Sequence, residues 1–394
     1  MAGHPRQDAT SQSGSPGAPA SQHAISEAEF AAIRSLLHPL LRAFEMLMLI
    51  ARHLHPPDLP DLIESIGAPD EALKAARARQ STWPQGLSAI GAALDGASDA
   101  VLQAFIGLRA AQGNQNDIRG VYRALRLLPQ GLEALYPLAG ILSPVHQFFL
   151  DPSLRSQEAL PQFPLHRPAG DGTRDRTGVM HFAAEDGERG GFWLYVPEHY
   201  APDRAWPLVM ALHGGSGTGR RFLWNWLRDA RSRGAILVAP TSVQSTWALM
   251  GPDPDTPNLL RILEFITLRW NVDAKRLLLT GMSDGGTFTY TSGLRAQSPF
   301  THLAPIAAAF HPMLVHLGDP NRMRGLPVHI IHGILDWMFP SELARQAHLA
   351  LKSAGAAVTY REVDDLSHTY PGELNAVLLS WLEATPAGPA QASA

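Results

Sequence analysis

The sequence predicts an α/β protein in which a doubly wound, mostly parallel sheet follows an all-α N-terminal domain. Two observations lead to this prediction. Apolar residues recur every three or four positions from Ser26 to about Leu150, which is typical of amphipathic helices. From Gly178 onward, short apolar runs alternate with helical segments, as strands and crossover helices do in parallel sheets. The sheet should therefore lie in the C-terminal half.

The helical domain is predicted to cover residues 26–150. Its first helix begins at Ser26, because Glu29 has the spacing of a capping box, and it ends near His55 before two prolines. A lid, a homodimer interface and a docking module all remain open as its role. The shorter helices are expected over Asp58–Ile66, Pro69–Ala78, Asp99–Ala111, Asp117–Leu128 and Pro144–Leu150.

Composition separates the flanking segments from the folded parts. Residues 1–25 and 385–394 are rich in small and polar residues without apolar periodicity, so we expect both to be disordered. Residues 151–176 contain several prolines, glycines and arginines and are predicted to be a linker. The rest of the chain, 177–384, is left for the domain that contains the sheet.

Charge and residue usage exclude several classes of function. A net charge of -4 gives no reason to expect a nucleic acid or an anionic membrane as partner, and the absence of cysteine rules out disulfides and thiolate metal sites. The apolar stretch Phe44–Ala51 is too short and too charged to be a transmembrane segment, and no signal-peptide pattern precedes it. We therefore expect a cytoplasmic protein.

Eight strands are predicted beyond residue 177. The first two should pair antiparallel, and the later ones alternate with helices. The strands are expected at Gly178–Ala183, Gly191–Val196, Pro207–Leu212, Ala235–Val238, Arg276–Thr280, His302–Phe310, Pro327–Ile331 and Ala357–Val363. The helices are expected at Arg220–Arg231, Pro257–Trp270, Thr287–Leu294, Ser341–Ser353 and Glu373–Leu382.

A serine stands at a sharp turn between a strand and a helix. The buried run Leu277–Leu279 leads into Gly281-Met-Ser283-Asp-Gly285, and a helical segment follows. The strained backbone at Ser283 leaves no room for a side chain two residues before or after it, and glycine occupies both positions. Such a turn presents the hydroxyl above the sheet, at a helix N-terminus that stabilises a developing oxyanion. Ser283 is therefore a candidate nucleophile.

A base and an acid follow Ser283 at the ends of later strands. Asp336 comes after the strand that ends at Ile331, and His368 comes after the last strand. Because the carboxyl ends of parallel strands share one sheet edge, these two residues and Ser283 should meet there. Asp364 and Asp365 are closer to His368 in sequence and remain alternative partners.

A glycine-rich loop follows the strand that should lie beside the serine strand. In His213-Gly214-Gly215, backbone N–H groups can approach a substrate without an intervening side chain. The expected oxyanion donors are the N–H of Gly215 or Gly214 together with that of Asp284. His213 is expected to hold this loop rather than to act as a base.

The order Ser, Asp, His and the glycine loop resemble the α/β-hydrolase superfamily. Over residues 178–384 the chain is further similar to the bacterial phospholipase/carboxylesterase group, whose members usually lack a helical domain. The similarity rests on segments that begin at Ala211, Ala239, Ser245, Gly251 and Gly281.

The resemblance implies a serine esterase that needs no cofactor and no metal and acts on a small-molecule ester. Trp247, Trp337 and Phe339 are then expected to contact substrate, although a position in the core is nearly as well supported for Trp247 and remains an alternative for the other two. Acyltransfer, peptide cleavage and polyester depolymerisation use the same triad and remain alternatives. A non-catalytic scaffold that binds a partner through its helices is the least favoured alternative, because the triad is intact in the sequence.

Overall fold

The N-terminal part of the molecule is helical. The computed structural model describes residues 26–80, 82–112, 117–155, 177–184 and 187–385, so the two predicted disordered ends and most of the predicted linker lie outside the described residues. The helices of this part are α1 (Glu27–His53), α2 (Leu59–Ile66), α3 (Pro69–Arg79), α4 (Ser88–Gln112), α5 (Ile118–Leu125), α6 (Leu127–Leu135) and α7 (Ser143–Phe148).

The helices α1 and α4 organise this part. The capping box predicted at Ser26 is present, with its side chain accepting from the N–H of Glu29 and the Glu29 carboxylate accepting from the N–H of Ser26. The α4 helix and the turn before it, Gln85–Gln112, are long and apolar enough to cross a membrane by length and composition, with a mean hydropathy of 1.2. In this structure α4 packs against α1, α3, α5 and α6.

The C-terminal part contains one eight-stranded sheet in the order β1-β2-β4-β3-β5-β6-β7-β8. The pairs β1–β2 and β2–β4 are antiparallel, whereas β3 pairs in parallel with β4 and β5, and the strands from β5 to β8 continue in parallel. The strands are β1 (Gly178–Ala184), β2 (Gly187–Val196), β3 (Trp206–Leu212), β4 (Ile236–Pro240), β5 (Val272–Met282), β6 (His302–Ile306), β7 (Pro327–Gly333) and β8 (Ala357–Val363).

Helices connect the parallel strands, so both faces of the sheet are covered. The central strands β3, β4, β6 and β7 are buried along most of their length, which explains their nearly continuous apolar sequences. The connecting helices are α8 (Gly219–Phe222), α9 (Leu227–Arg233), α10 (Asp255–Thr267), α11 (Asp284–Gly293), α12 (Met313–Leu317), α13 (Pro320–Met323), α14 (Ser341–Ser353) and α15 (Asn375–Ala384).

Several predicted elements differ from the structure: the helix expected from Asp99 begins at Ser88, and the helix expected over 117–128 ends at Leu125 and is followed by α6. The strand expected to run to Phe310 ends at Ile306, because Ala307 adopts a positive φ of 45° that interrupts the extended backbone. The single helix expected at 220–231 is divided into α8 and α9 by a 3-10 turn, whose Asn225 carbonyl accepts a hydrogen bond from Asn375. The start of the predicted linker is ordered, since the N–H of Asp151 donates to Ser232 Oγ.

The helical part and one face of the sheet share a single hydrophobic core. One continuous cluster of buried side chains includes residues of α1, α4 and α6 together with Val209 and Leu237 of the sheet. At the boundary, Glu198 accepts hydrogen bonds from Tyr136 and from the buried guanidinium of Arg231. The two parts are therefore joined by a hydrophobic contact and by the hydrogen bond from Tyr136 to Glu198, whose carboxylate Arg231 also holds.

Candidate active site

Ser283 lies at the turn between β5 and α11. It has φ 57° and ψ −122°, a combination that side-chain-bearing residues rarely adopt. A Cβ atom on Gly281 would lie 2.5 Å from the backbone of Gly285, and one on Gly285 would lie 2.5 Å from the carbonyl oxygens of Leu212 and His213. The strain is therefore tolerated because glycines occupy both crowded positions.

The structure brings Ser283, His368 and Asp336 together at the carboxyl ends of the parallel strands. His368 Nε2 lies 3.0 Å from Ser283 Oγ, and His368 Nδ1 lies 2.9 Å from Asp336 Oδ2. All three residues are at least nine-tenths buried. The imidazole thus connects the hydroxyl to the carboxylate.

Asp336 has other hydrogen-bond partners besides His368. Its Oδ1 accepts from the N–H groups of Met338 and Phe339, and His332 Nε2 lies 3.3 Å from Oδ2. Burial raises the pKa of Asp336, but the hydrogen bonds from His332 and His368 outweigh it and hold the pKa well below its usual range. The sequence analysis missed His332, although a polar residue inside an otherwise apolar strand was the available signal.

The glycine loop after β3 faces the turn at Ser283. A Cβ atom on Gly214 would lie 3.4 Å from the Ser283 Cβ, and one on Gly215 would lie 2.9 Å from Asp284 Oδ2. Within the described part of the chain, the N–H groups of Gly215 and Asp284 have no hydrogen-bond partner. Thr246 Oγ1 donates to Asp284 Oδ2 at 2.6 Å and so fixes the acidic side chain beside the loop.

Trp247 and His213 support this loop from beneath. Trp247 is 2% exposed, its Nε1 donates to the carbonyl of His213, and its ring stacks on Phe288. The contact with substrate expected for Trp247 is therefore corrected in favour of the core alternative. His213 Nε2 accepts from the N–H of Ser242, and burial lowers the pKa of His213 to about 4, which keeps it neutral.

Trp337 and Phe339 lie on the loop that contains Asp336. The Phe339 ring meets the His368 ring edge-on, with centroids 5.2 Å apart. Trp337 is 47% exposed and lines a cavity of about 570 Å³. The opposite wall comes from the helical part and includes Pro57 and Val121. Trp337, next to Asp336 in sequence, therefore borders this cavity, whereas Phe339 packs against the imidazole of His368.

The helical part also holds the loop that contains His368. Arg52, in the last turn of α1, donates to Glu373 Oε1 and to Asp365 Oδ1, and Thr369 Oγ1 donates to the Arg52 carbonyl. The structure thus gives Asp365 an arginine partner, while Asp336 partners His368. Arg52 was missed because its partners are more than 300 residues away in sequence.

Comparison with known proteins finds a family match and a curated relative. The sequence profile of the phospholipase/carboxylesterase family matches residues 261–385. The bifunctional acetylxylan esterase/xylanase XynS20E of Neocallimastix patriciarum is 28% identical over 162 residues, which cover 40% of this chain and 23% of that protein. The chain therefore spans about a quarter of the length of this curated relative.

Solved structures of low identity resemble the chain in part. A thermostable esterase is 24% identical with a TM-score of 0.45, and the match covers 53% of this chain and 63% of the esterase. An acylaminoacyl peptidase of Pyrococcus horikoshii is 16% identical with a TM-score of 0.42, covering 58% of this chain and 46% of the peptidase. The sheet with its serine turn is that of the α/β-hydrolase fold, and with the family match and the curated relative it makes the chain similar to the phospholipase/carboxylesterase family.

Proposed function

We propose that this protein hydrolyses carboxylic esters, with Ser283 as nucleophile, His368 as general base and Asp336 as the group that orients the imidazole. One observation carries the proposal. The His368 ring lies within hydrogen-bond distance of both the Ser283 hydroxyl and the Asp336 carboxylate. A serine hydroxyl is almost never ionised at neutral pH, so it needs such a base to become a nucleophile.

The reaction then has two halves. His368 Nε2 removes the Ser283 proton while Oγ attacks the ester carbonyl, and the resulting oxyanion is stabilised by the N–H groups of Gly215 and Asp284. The imidazolium, stabilised by Asp336, returns the proton to the leaving alcohol. Water, deprotonated by His368, attacks the acyl-enzyme and releases the acid. Each half both consumes and regenerates the neutral imidazole.

The substrate should reach the triad beside the loop that contains Trp337 and Phe339. The cavity there is mainly apolar and has room for the organic group on one side of the ester. The curated relative carries acetylxylan esterase in its name, so acetylated xylan belongs among the substrates to examine. Simple chromogenic esters nevertheless test the chemistry first.

The decisive experiment is hydrolysis of p-nitrophenyl esters from acetate to decanoate. Ser283→Ala and His368→Ala should each lower kcat by at least about 10⁴-fold, whereas Ser353→Ala, at the exposed end of α14, should leave it unchanged. A folded wild-type protein that cleaves no ester would refute the proposal. Adding competing alcohols detects acyl transfer, and p-nitroanilides detect amide cleavage.

A further inference from the structure

A second cavity, of about 550 Å³, lies between the helical part and the hydrolase domain. Met48 of α1 and Leu128 and Leu132 around α6 form an apolar wall. The opposite wall includes Trp224 and Arg228, which follow α8. Tyr370, two residues after the proposed base, also lines this cavity, so it lies behind the His368 loop rather than at the cavity lined by Trp337.

Arg228 differs from the other charged residues that line this cavity because its side chain lacks a polar partner in the part of the chain that the structure describes. It makes no hydrogen bond and no ion pair within the described residues, and its buried Nη2 lacks a partner. Its guanidinium carbon lies 4.1 Å from the centroid of the Phe148 ring, which covers one face. Burial, and then Arg155, lower the pKa of Arg228 to about 10, so the guanidinium stays charged at neutral pH.

The other charged side chains around the cavity already have partners. Glu373 accepts from Arg52, and Asp151 pairs with Arg233. Asp229 accepts from Asn375, and burial raises the pKa of Asp229 to about 7, which makes it partly neutral at physiological pH. One positive charge is therefore left without a counter-charge in direct contact.

A second donor lies on the same wall. The Trp224 ring is 4% exposed and packs against Tyr136 and Phe149, but its Nε1–H is buried without a hydrogen-bond partner in the described part of the chain. A buried N–H or guanidinium without an acceptor is unfavourable, so such groups usually have one in folded proteins. Two residues that line one cavity thus each hold a buried donor without an acceptor among the described residues.

We propose that this cavity binds an aliphatic monocarboxylate, with the carboxylate at Arg228 and Trp224 and the hydrocarbon chain against Met48, Leu128 and Leu132. The planar guanidinium fork matches the two oxygens of a carboxylate. The nearby carboxyl groups of Asp229 and Asp151 would repel a dianion such as phosphate more strongly than a monoanion. The apolar wall suits an alkyl chain rather than a polar ligand.

Octanoate is the probe for this site, and octan-1-ol is its uncharged counterpart. We would measure binding calorimetrically to Ser283→Ala protein, so that no turnover interferes and the result does not depend on the esterase proposal. The test variant adds Arg228→Met. The matched control adds Arg269→Met. Arg269 also covers an aromatic ring, that of Phe265 in α10, but it lies just after that helix on an exposed surface.

Octanoate should bind the parent protein and the Arg269 control equally and should lose at least about 10-fold in affinity with Arg228→Met. Octan-1-ol should bind both variants alike. Arg228→Met should fold, since it removes a charge that has no hydrogen bond or ion pair in the described residues and keeps an apolar side chain beside the Phe148 ring. Measuring the unfolding temperature of this variant tests whether it folds. Absence of octanoate binding to the parent, or equal binding to the Arg228 variant, would overturn the proposal.

Discussion

Replacing Arg52 tests whether the helical part positions the proposed catalytic base. Arg52→Met keeps most of the aliphatic length but removes the hydrogen bonds to Asp365 and Glu373 on the two sides of the His368 loop. The bond from Thr369 to the Arg52 carbonyl survives, because it uses the backbone. The loop should therefore loosen without losing its attachment to α1.

The size of the effect follows from the exposure of the partners. The Arg52 side chain is 14% exposed, but the carboxylates of Asp365 and Glu373 are 63% and 49% exposed, so each pair contributes about 0.5–1 kcal/mol. Two pairs give about 1–2 kcal/mol for holding His368 beside Ser283. Since 1.4 kcal/mol corresponds to tenfold, we expect kcat to fall by about 5- to 30-fold with little change in KM.

Ester hydrolysis of Arg52→Met should be compared with Arg42→Met, which changes an exposed arginine on the same helix. Arg52→Lys should recover part of kcat, because an ammonium group can bind one of the two carboxylates but lacks the fork. Raising the salt concentration should reduce the difference between wild type and Arg52→Met. If Arg52→Met has the kcat of the Arg42 control while folded, the positioning argument fails.

Two other expectations concern stability. Gly285→Ala should destabilise the fold by about 2–4 kcal/mol in urea titrations, since the new Cβ would lie 2.5 Å from two carbonyl oxygens; wild-type stability would contradict this. His213, His302 and His329 have pKa values lowered by burial to about 4, so the unfolded state binds more protons between pH 6.5 and 4 and stability should fall as the pH falls in that window. Asp229, with its pKa raised to about 7, opposes this by one proton, so these four groups together contribute a slope of at most about 2.7 kcal/mol per pH unit. Asp229→Asn should steepen the slope in urea titrations at several pH values, and an unchanged slope would show that this carboxyl does not bind its proton in the folded state.

The sequence predicted the sheet well because each strand has a local signal. Buried parallel strands are continuous apolar runs, and glycines mark the turn at Ser283, so the class of fold and the position of the candidate triad could be read from the chain. The break between α8 and α9 depends on Asn375, which approaches Asn225 from 150 residues away. Trp247 was ambiguous for the same reason, because its burial depends on packing against Phe288.

The sequence also left the role of the helical part open, and the shared core limits the answer. Leu132, Leu135 and Phe149 are almost fully buried in the cluster that continues into the sheet. Opening the helical part as a rigid lid would expose them, at about 1.5–3 kcal/mol for each side chain, and would separate Tyr136 from Glu198. The cost from these residues alone is about 5–10 kcal/mol, comparable with the stability of a whole domain. A lid that opens as a rigid body is therefore disfavoured, and the helices are better described as a fixed wall beside the sheet.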